Sequence, residues 1–263
     1  MLRKLLSVPI LALALAGNAM AGTWSGPNNT GIQHFPVGNS TDQMLIHYGY
    51  DSLTGRPTWT GAFGLQSSTH FDAKTFVARN GQPLGGTYRS PLVTENVDDI
   101  SVRWQSFTDG NLVDFPRSEL GTLRLANDPT QALSRTVIET GNPPPNPLKN
   151  YHPSGWYWDD SQSGTGVGVD IRGDTLFATF FTYDAAGNDD WYFTTATMTS
   201  NSLYSAQLRH CSKATGTVVC SDVGQVNMTF FLANSLFPTT YRIAVTLPPA
   251  FNNATMTLRP YSR

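Results

Sequence analysis

The sequence predicts an all-β protein built from two tandem antiparallel β-meander units, each a small barrel or a sandwich. Three observations carry that prediction. Apolar and polar residues alternate with a period of two through most of the chain, the pattern of half-buried strands. Hydrophobic residues make up 40% of the 263 positions and charged residues only 14%, while 23 Gly and 17 Pro weigh against a helical bundle. A proline-rich stretch near the centre separates two halves of similar length.

Residues 1–21 read as a secretory signal peptide. Arg3 and Lys4 give a positive start, Leu5 to Ala16 an apolar run, and Ala19-Met20-Ala21 a small-x-small cleavage pattern. The run is shorter than the ~20 residues a membrane-spanning helix needs, and no later stretch reaches that length. The expectation is an exported chain, starting at Gly22, that resides in the periplasm, outside the cell or at its surface. Without Arg3 and Lys4 the balance is 15 basic to 19 acidic residues, so the chain has no basic footprint for nucleic acid.

The first β-unit is expected over residues 22–140. Ile100, Val102 and Trp104 alternate with Ser101 and Arg103 there, and the Asp128 to Ser134 region is read as a single helical turn. Residues 141–150, Gly141 to Asn150, hold four prolines, which cannot sit inside a sheet and make an extended linker. The second β-unit is expected over residues 151–263. Val167, Val169 and Ile171 mark one strand, Tyr241 to Leu247 another and Met256 with Leu258 a third. Leu176 to Tyr183 is apolar on both faces and reads as a central strand.

The halves share anchors, as an internal repeat would. Tyr50-Asp51, a turn, Gly55 and Trp59 in the first match Tyr183-Asp184, a turn, Gly187 and Trp191 in the second. The short turn explains most of these residues, because Asp caps it and Gly takes the left-handed conformation. Cys211 and Cys220 flank a turn-like Ala214-Thr215-Gly216, so a hairpin brings them together. A local disulfide there suits an oxidising compartment. Two Cys and His210 make no zinc spacing, and neither metal nor other cofactor is expected.

Gly155-Trp156-Tyr157-Trp158-Asp159, Ser163-Gly164-Thr165-Gly166, then Thr182-Tyr183-Asp184-Ala185-Ala186-Gly187 and Trp191 form a recognisable series. It resembles an uncharacterised repeat of secreted and surface proteins of Gram-negative bacteria, roughly G-x-W-W-N-P-x-E-S-G-x-G followed by T-Y-D-x-x-G-x-x-x-W. The resemblance is good over 155–191 and faint over 22–59. It implies a compartment and a β-fold, not a reaction. Asp159 and Asp160 replace the Asn-Pro of that pattern, and Gln162 stands where Glu is usual.

Nucleophile and metalloprotease motifs are absent, and the five His are scattered. The carboxylates are the better enzyme candidates. Asp159 and Asp160 follow an aromatic cluster, and Asp189-Asp190 precedes Trp191-Tyr192. Two carboxyls beside aromatics suit glycoside hydrolysis, and a solvated turn explains the same residues. Alternation puts Trp156 and Trp158 on one face of their strand and Tyr157 on the other, one set being core. An exposed aromatic strip is good chemistry for a sugar.

The expectation is therefore a secreted, non-catalytic binding or surface-interaction protein for a glycan or cell-surface polymer. Its contact residues would be Trp156, Trp158, Trp191 and Tyr192. The alternatives are a secreted hydrolase using Asp159 or Asp160 as acid or base, and a β-barrel carrier of a small apolar ligand. Low charge and many strands also favour self-association.

Overall fold

A computed structural model describes residues 22–37, 42–65, 67, 70–104, 120–125, 130–136, 154–162, 164–198, 202–213, 216–231 and 242–261. The signal-peptide reading of 1–21 and the linker reading of 141–150 lie outside these residues. Among the described residues no helix is long and apolar enough to cross a membrane.

The all-β expectation holds, and the choice between barrel and sandwich falls to the barrel. The first unit comprises β1 (Gly22–Ser25), β2 (Gly31–Pro36), β3 (Asp42–Tyr50), β4 (Pro57–Leu65), β5 (His70–Arg79), β6 (Leu92–Trp104), β7 (Leu120–Leu125) and β8 (Gln131–Arg135). Each strand pairs antiparallel with the next, and Trp24 opposite Arg135 closes β1 onto β8. The second comprises β9 (Gly155–Trp158), β10 (Gly166–Arg172), β11 (Thr175–Tyr183), β12 (Asp189–Thr197), β13 (Leu203–Ser212), β14 (Val219–Phe231), β15 (Arg242–Thr246) and β16 (Thr255–Pro260). It closes through Tyr157 opposite Pro260. The helical turn expected within Asp128 to Ser134 is instead the strand β8 from Gln131, because pairing with β7 and β1 satisfies its backbone.

Period-two alternation fills each barrel from one face of its strands. Trp24, Ile32, Leu45, Phe71, Val102 and Trp104 pack inside the first barrel. Tyr157, Val167, Val169, Leu176, Phe180 and Met228 pack inside the second. Among the described residues, both interiors are packed with side chains.

The opposite faces of β2, β3 and β4 are apolar too. They pack against β9 to β12 in a third cluster drawn from both barrels, including Phe35, Tyr48, Trp59, Trp156, Phe181 and Trp191. This second burial explains why Leu176 to Tyr183 is apolar on both faces. The contacts across the seam are reciprocal. Trp59, on the fourth strand of its barrel, donates Nε1–H to the Thr182 carbonyl at 3.0 Å. Trp191, on the fourth strand of the other, donates Nε1–H to the Gly49 carbonyl at 3.1 Å. Beyond each fifth strand the chain reaches the opposing turn: Asn80 N–H donates to the Gly187 carbonyl at 2.7 Å and Lys213 N–H to the Gly55 carbonyl at 2.8 Å.

The two long hairpins are secured differently. Leu84, between β5 and β6, joins the core of the second barrel. Cys211 and Cys220 stand opposite one another in the β13–β14 register and form a disulfide. Gly164 has φ +90°, and a Cβ there would lie 2.2 Å from the Pro91 ring, so close packing between barrels accounts for that part of the motif.

Candidate functional site

Among the described residues, hollows open along the seam. One is an apolar cleft of about 280 Å³ lined by both barrels. Phe63 of β4 and Phe76 of β5 form one wall, their rings stacked at 5.3 Å. Gly61 sits opposite Phe76 in the ladder, and a Cβ there would lie 2.2 Å from that ring, so only glycine leaves room for it. Trp158 and Tyr261 form the facing wall, edge to face at 5.4 Å, with Tyr261 stacked at 6.3 Å from Phe63. Trp59, Trp156 and Phe181 close the inner end.

One carboxylate borders this cleft. Between Lys74 and Phe76 the β5–β6 register shifts, so that Lys74 pairs with Asp99 but Phe76 pairs with Glu95. Asn96 takes φ +55° in the resulting bulge. Thr75 pins it, its Oγ1 accepting from Asp98 N–H at 3.0 Å and lying 3.2 Å from the Asp98 carbonyl. Bulges re-aim side chains, and this one sets exposed Glu95 beside Phe76 at the cleft rim. Lys, Arg and His are absent from the cleft lining among the described residues.

The second opening is a polar crevice, two adjoining hollows of about 210 and 200 Å³ that share Thr54, Arg56, Pro57 and Asp189. Arg56 bridges the barrels by pairing with Asp184. Asp189 Oδ2 accepts from Thr58 Oγ1 at 3.1 Å, again across the seam. Burial pushes the Asp189 carboxyl up to about 6, against the opposing pull of the Thr58 bond and of Arg79. Asp190 is buried, and its Oδ1 lies 2.7 Å from His210 Nε2 and accepts from Trp191 N–H at 2.9 Å. Tyr192 donates its hydroxyl to Asp190 Oδ2 at 3.1 Å and stacks on the His210 ring at 4.7 Å.

The structure distributes the sequence-predicted residues unevenly. Trp158 lines the apolar cleft and remains partly exposed. Trp156 lines its inner end but is only 4% exposed, with Nε1–H donated to the Met44 carbonyl at 2.9 Å. Trp191 is 3% exposed within the seam, and Tyr192 packs partly buried against the core of the second barrel with its hydroxyl on Asp190. Of the four expected contact residues, Trp156 and Trp191 are buried in the seam against the first barrel, while Trp158 and Tyr192 keep partial exposure. Tyr157 faces the barrel core and Trp156 the seam, as alternation requires.

Asp159 and Asp160 do not form a pair facing a cleft. Asp159 Oδ1 caps its own turn, accepting from Ser161 N–H at 2.9 Å and Ser161 Oγ at 2.6 Å. Asp160 is bound by Arg259 at 2.9 Å. Among the described residues no group of three His, Cys, Asp or Glu has the arrangement of a metal site.

Sequence reasoning did not single out Phe63, Phe76, Tyr261 or Glu95. The signal for the rings was present, since Trp59, Gly61 and Phe63 share one face of β4 by alternation. That for Glu95 was not, since its place depends on the bulge.

Compared with protein-family models, curated proteins and solved structures, the chain finds no match in any of the three.

Proposed function

We propose that this chain is an exported, non-catalytic binding protein whose ligand lies in the apolar cleft between two barrels descended from one duplicated unit. Export is supported by the leader-like first 21 residues and by the disulfide. Duplication is supported by the shared strand order and the reciprocal Trp59 and Trp191 bonds. The observation that carries the binding reading is the facing walls of Phe63, Phe76, Trp158 and Tyr261 around an open hollow. Such a cleft suits a ligand with a flat apolar body. A glycan fits less well, because the lining offers Glu95, Thr165 and few other partners for hydroxyls, and each one buried unpaired costs about 1–3 kcal/mol. Tryptophan fluorescence titration of the full chain with aromatic amphiphiles and with chito-oligosaccharides tests this. Saturable binding of the former, weakened at least tenfold in Trp158→Ala, is expected; binding of the oligosaccharide alone would restore the glycan reading.

A hydrolytic site in the polar crevice is the second reading. It is favoured by Asp189, whose raised carboxyl suits an acid, standing near the Asp190–His210 pair and Arg56. Hydrolysis of ester or glycoside substrates that disappears in Asp189→Asn and His210→Gln would support it. Full retention of any such activity in both variants would remove it.

A further inference from the structure

The chemistry of the cleft specifies the charge of its ligand. Its walls are rings, whose faces carry negative potential, and among the described residues Glu95 is its one lining carboxylate, with no Lys, Arg or His. The cations nearest in register are already engaged. Lys74, opposite Phe63, is held by Asp99 at 2.6 Å, and Arg259, opposite Trp158, by Asp160 at 2.9 Å. Glu95 is displaced from that Lys74–Asp99 pair by the bulge and set at the rim beside Phe76. An aromatic hollow with a carboxylate at its mouth is complementary to an apolar body bearing a positive group.

We propose that the cleft takes an organic cation, an ammonium or guanidinium carried on a flat or aliphatic body, with Glu95 as its counter-ion and Trp158 and Tyr261 as the ring walls. This rests on the cleft being the binding site. It assigns Glu95 the discriminating role and the rings the bulk of the affinity. The neutral analogue of such a ligand loses the ion pair and the cation–π contact and keeps the apolar burial.

The test uses three probes of one skeleton, 4-phenylbutylammonium, 4-phenylbutanol and 4-phenylbutyrate, titrated calorimetrically into the full chain and two variants. The expected order is cation, alcohol, carboxylate, with the cation about tenfold tighter than the alcohol. Glu95→Gln, at an exposed position, should cut the cation's advantage from about tenfold to the roughly two- to fivefold that the ring faces supply, while the alcohol, to which Gln still offers an acceptor, changes little. Trp158→Ala should weaken cation and alcohol together. An alcohol that binds as tightly as the cation overturns the charge assignment and leaves the cleft standing. So does a cation preference that is undiminished in Glu95→Gln. Three probes that fail to bind the native chain overturn the cleft itself.

Discussion

The two openings of the seam share strands β4 and β5 and differ in what their groups have left to do. β4 supplies Pro57 and Thr58 to the polar crevice and Phe63 to the apolar cleft, and Trp59 packs between them. In the crevice, Arg56 holds Asp184 and Thr58 holds Asp189 across the barrels, while His210 holds Asp190 within the second barrel. The first two pairs tie one barrel to the other. In the cleft, the rings meet one another along only part of their surfaces and bound an empty volume. Polar groups in the crevice spend their bonding capacity on assembly and structure, whereas the cleft presents ring surface to an open volume. The contrast assigns stability to one end and the middle of the seam, and recognition to the other end.

The strongest way to break that division is to empty the middle. Trp59→Ala and Trp191→Ala each remove a buried indole and leave a carbonyl without its donor. Each should cost about 3–5 kcal/mol in urea unfolding, a large part of the 5–15 kcal/mol typical of a domain. The double variant should cost less than the sum, because both rings touch Phe181 and Tyr48 or their neighbours within one cluster. A cost under about 1 kcal/mol for either would mean that the barrels do not depend on the seam.

The two long hairpins sharpen the comparison next. The β13–β14 hairpin is tied by Cys211–Cys220, and the β5–β6 connection by Leu84 in the opposite core. Replacing both Cys by Ser should cost about 2–3 kcal/mol, the value for a short closed loop. Leu84→Ala should cost a similar amount, about 2–3 kcal/mol. Both are read by thermal and urea unfolding. A disulfide-free variant as stable as the native chain would show that strand pairing holds the hairpin without the bond.

How much of this was legible in the sequence follows from which forces are local. Alternation at Val167, Val169 and Ile171 gave the strand and its inward face, because a pleat has one period. Asp184 and Gly187 gave the turn, and the cysteine spacing gave the disulfide, for equally local reasons. Trp156 and Trp191 were legible as one-faced aromatics but not as buried ones. Their cover is a second barrel more than a hundred residues away, and the pattern of an outer strand face is the same whether water or protein lies over it. Glu95 was not legible at all. Its place at the cleft depends on a register shift, which the sequence signals only through Asn96 in a left-handed conformation.

A smaller effect separates the seam from the barrel core by pH. Asp189 titrates near 6 in the fold against 3.8 ordinarily, because burial disfavours its charge. The folded state then binds more protons than the unfolded between those values, so stability falls as pH rises through that window. His47, on the inward side of β3 with Leu45, is pushed down to about 4 from 6.5 by burial. The unfolded state binds more protons there, so stability is lost as pH falls from 6.5 towards 4. The two slopes oppose one another between about pH 4 and 6. The lowered carboxyls of Asp51, Asp72 and Asp184 act below 3.8, outside that window. The native chain should therefore show a shallow profile. Asp189→Asn should become less stable on acidification and His47→Gln more stable, each by about 1 kcal/mol after solvent screening. Unfolding midpoints in urea at pH 4.5, 5.5 and 6.5 would read the slopes. Profiles of the two variants that coincide would show that neither group carries the linkage.

The smallest expected effect on stability belongs to the cleft. Trp158 is partly exposed and touches Tyr261 along an edge. Trp158→Ala should cost about 1 kcal/mol or less, far below the cost at Trp191 on the same barrel. If the cleft holds a ligand, this variant keeps its unfolding midpoint nearly unchanged and loses ligand affinity at least tenfold. Trp191→Ala, repaired by a stabilising background, should do the reverse. A Trp158→Ala variant that unfolds as readily as Trp191→Ala would make the cleft one more part of the seam's packing, and the division between assembly and recognition would no longer hold.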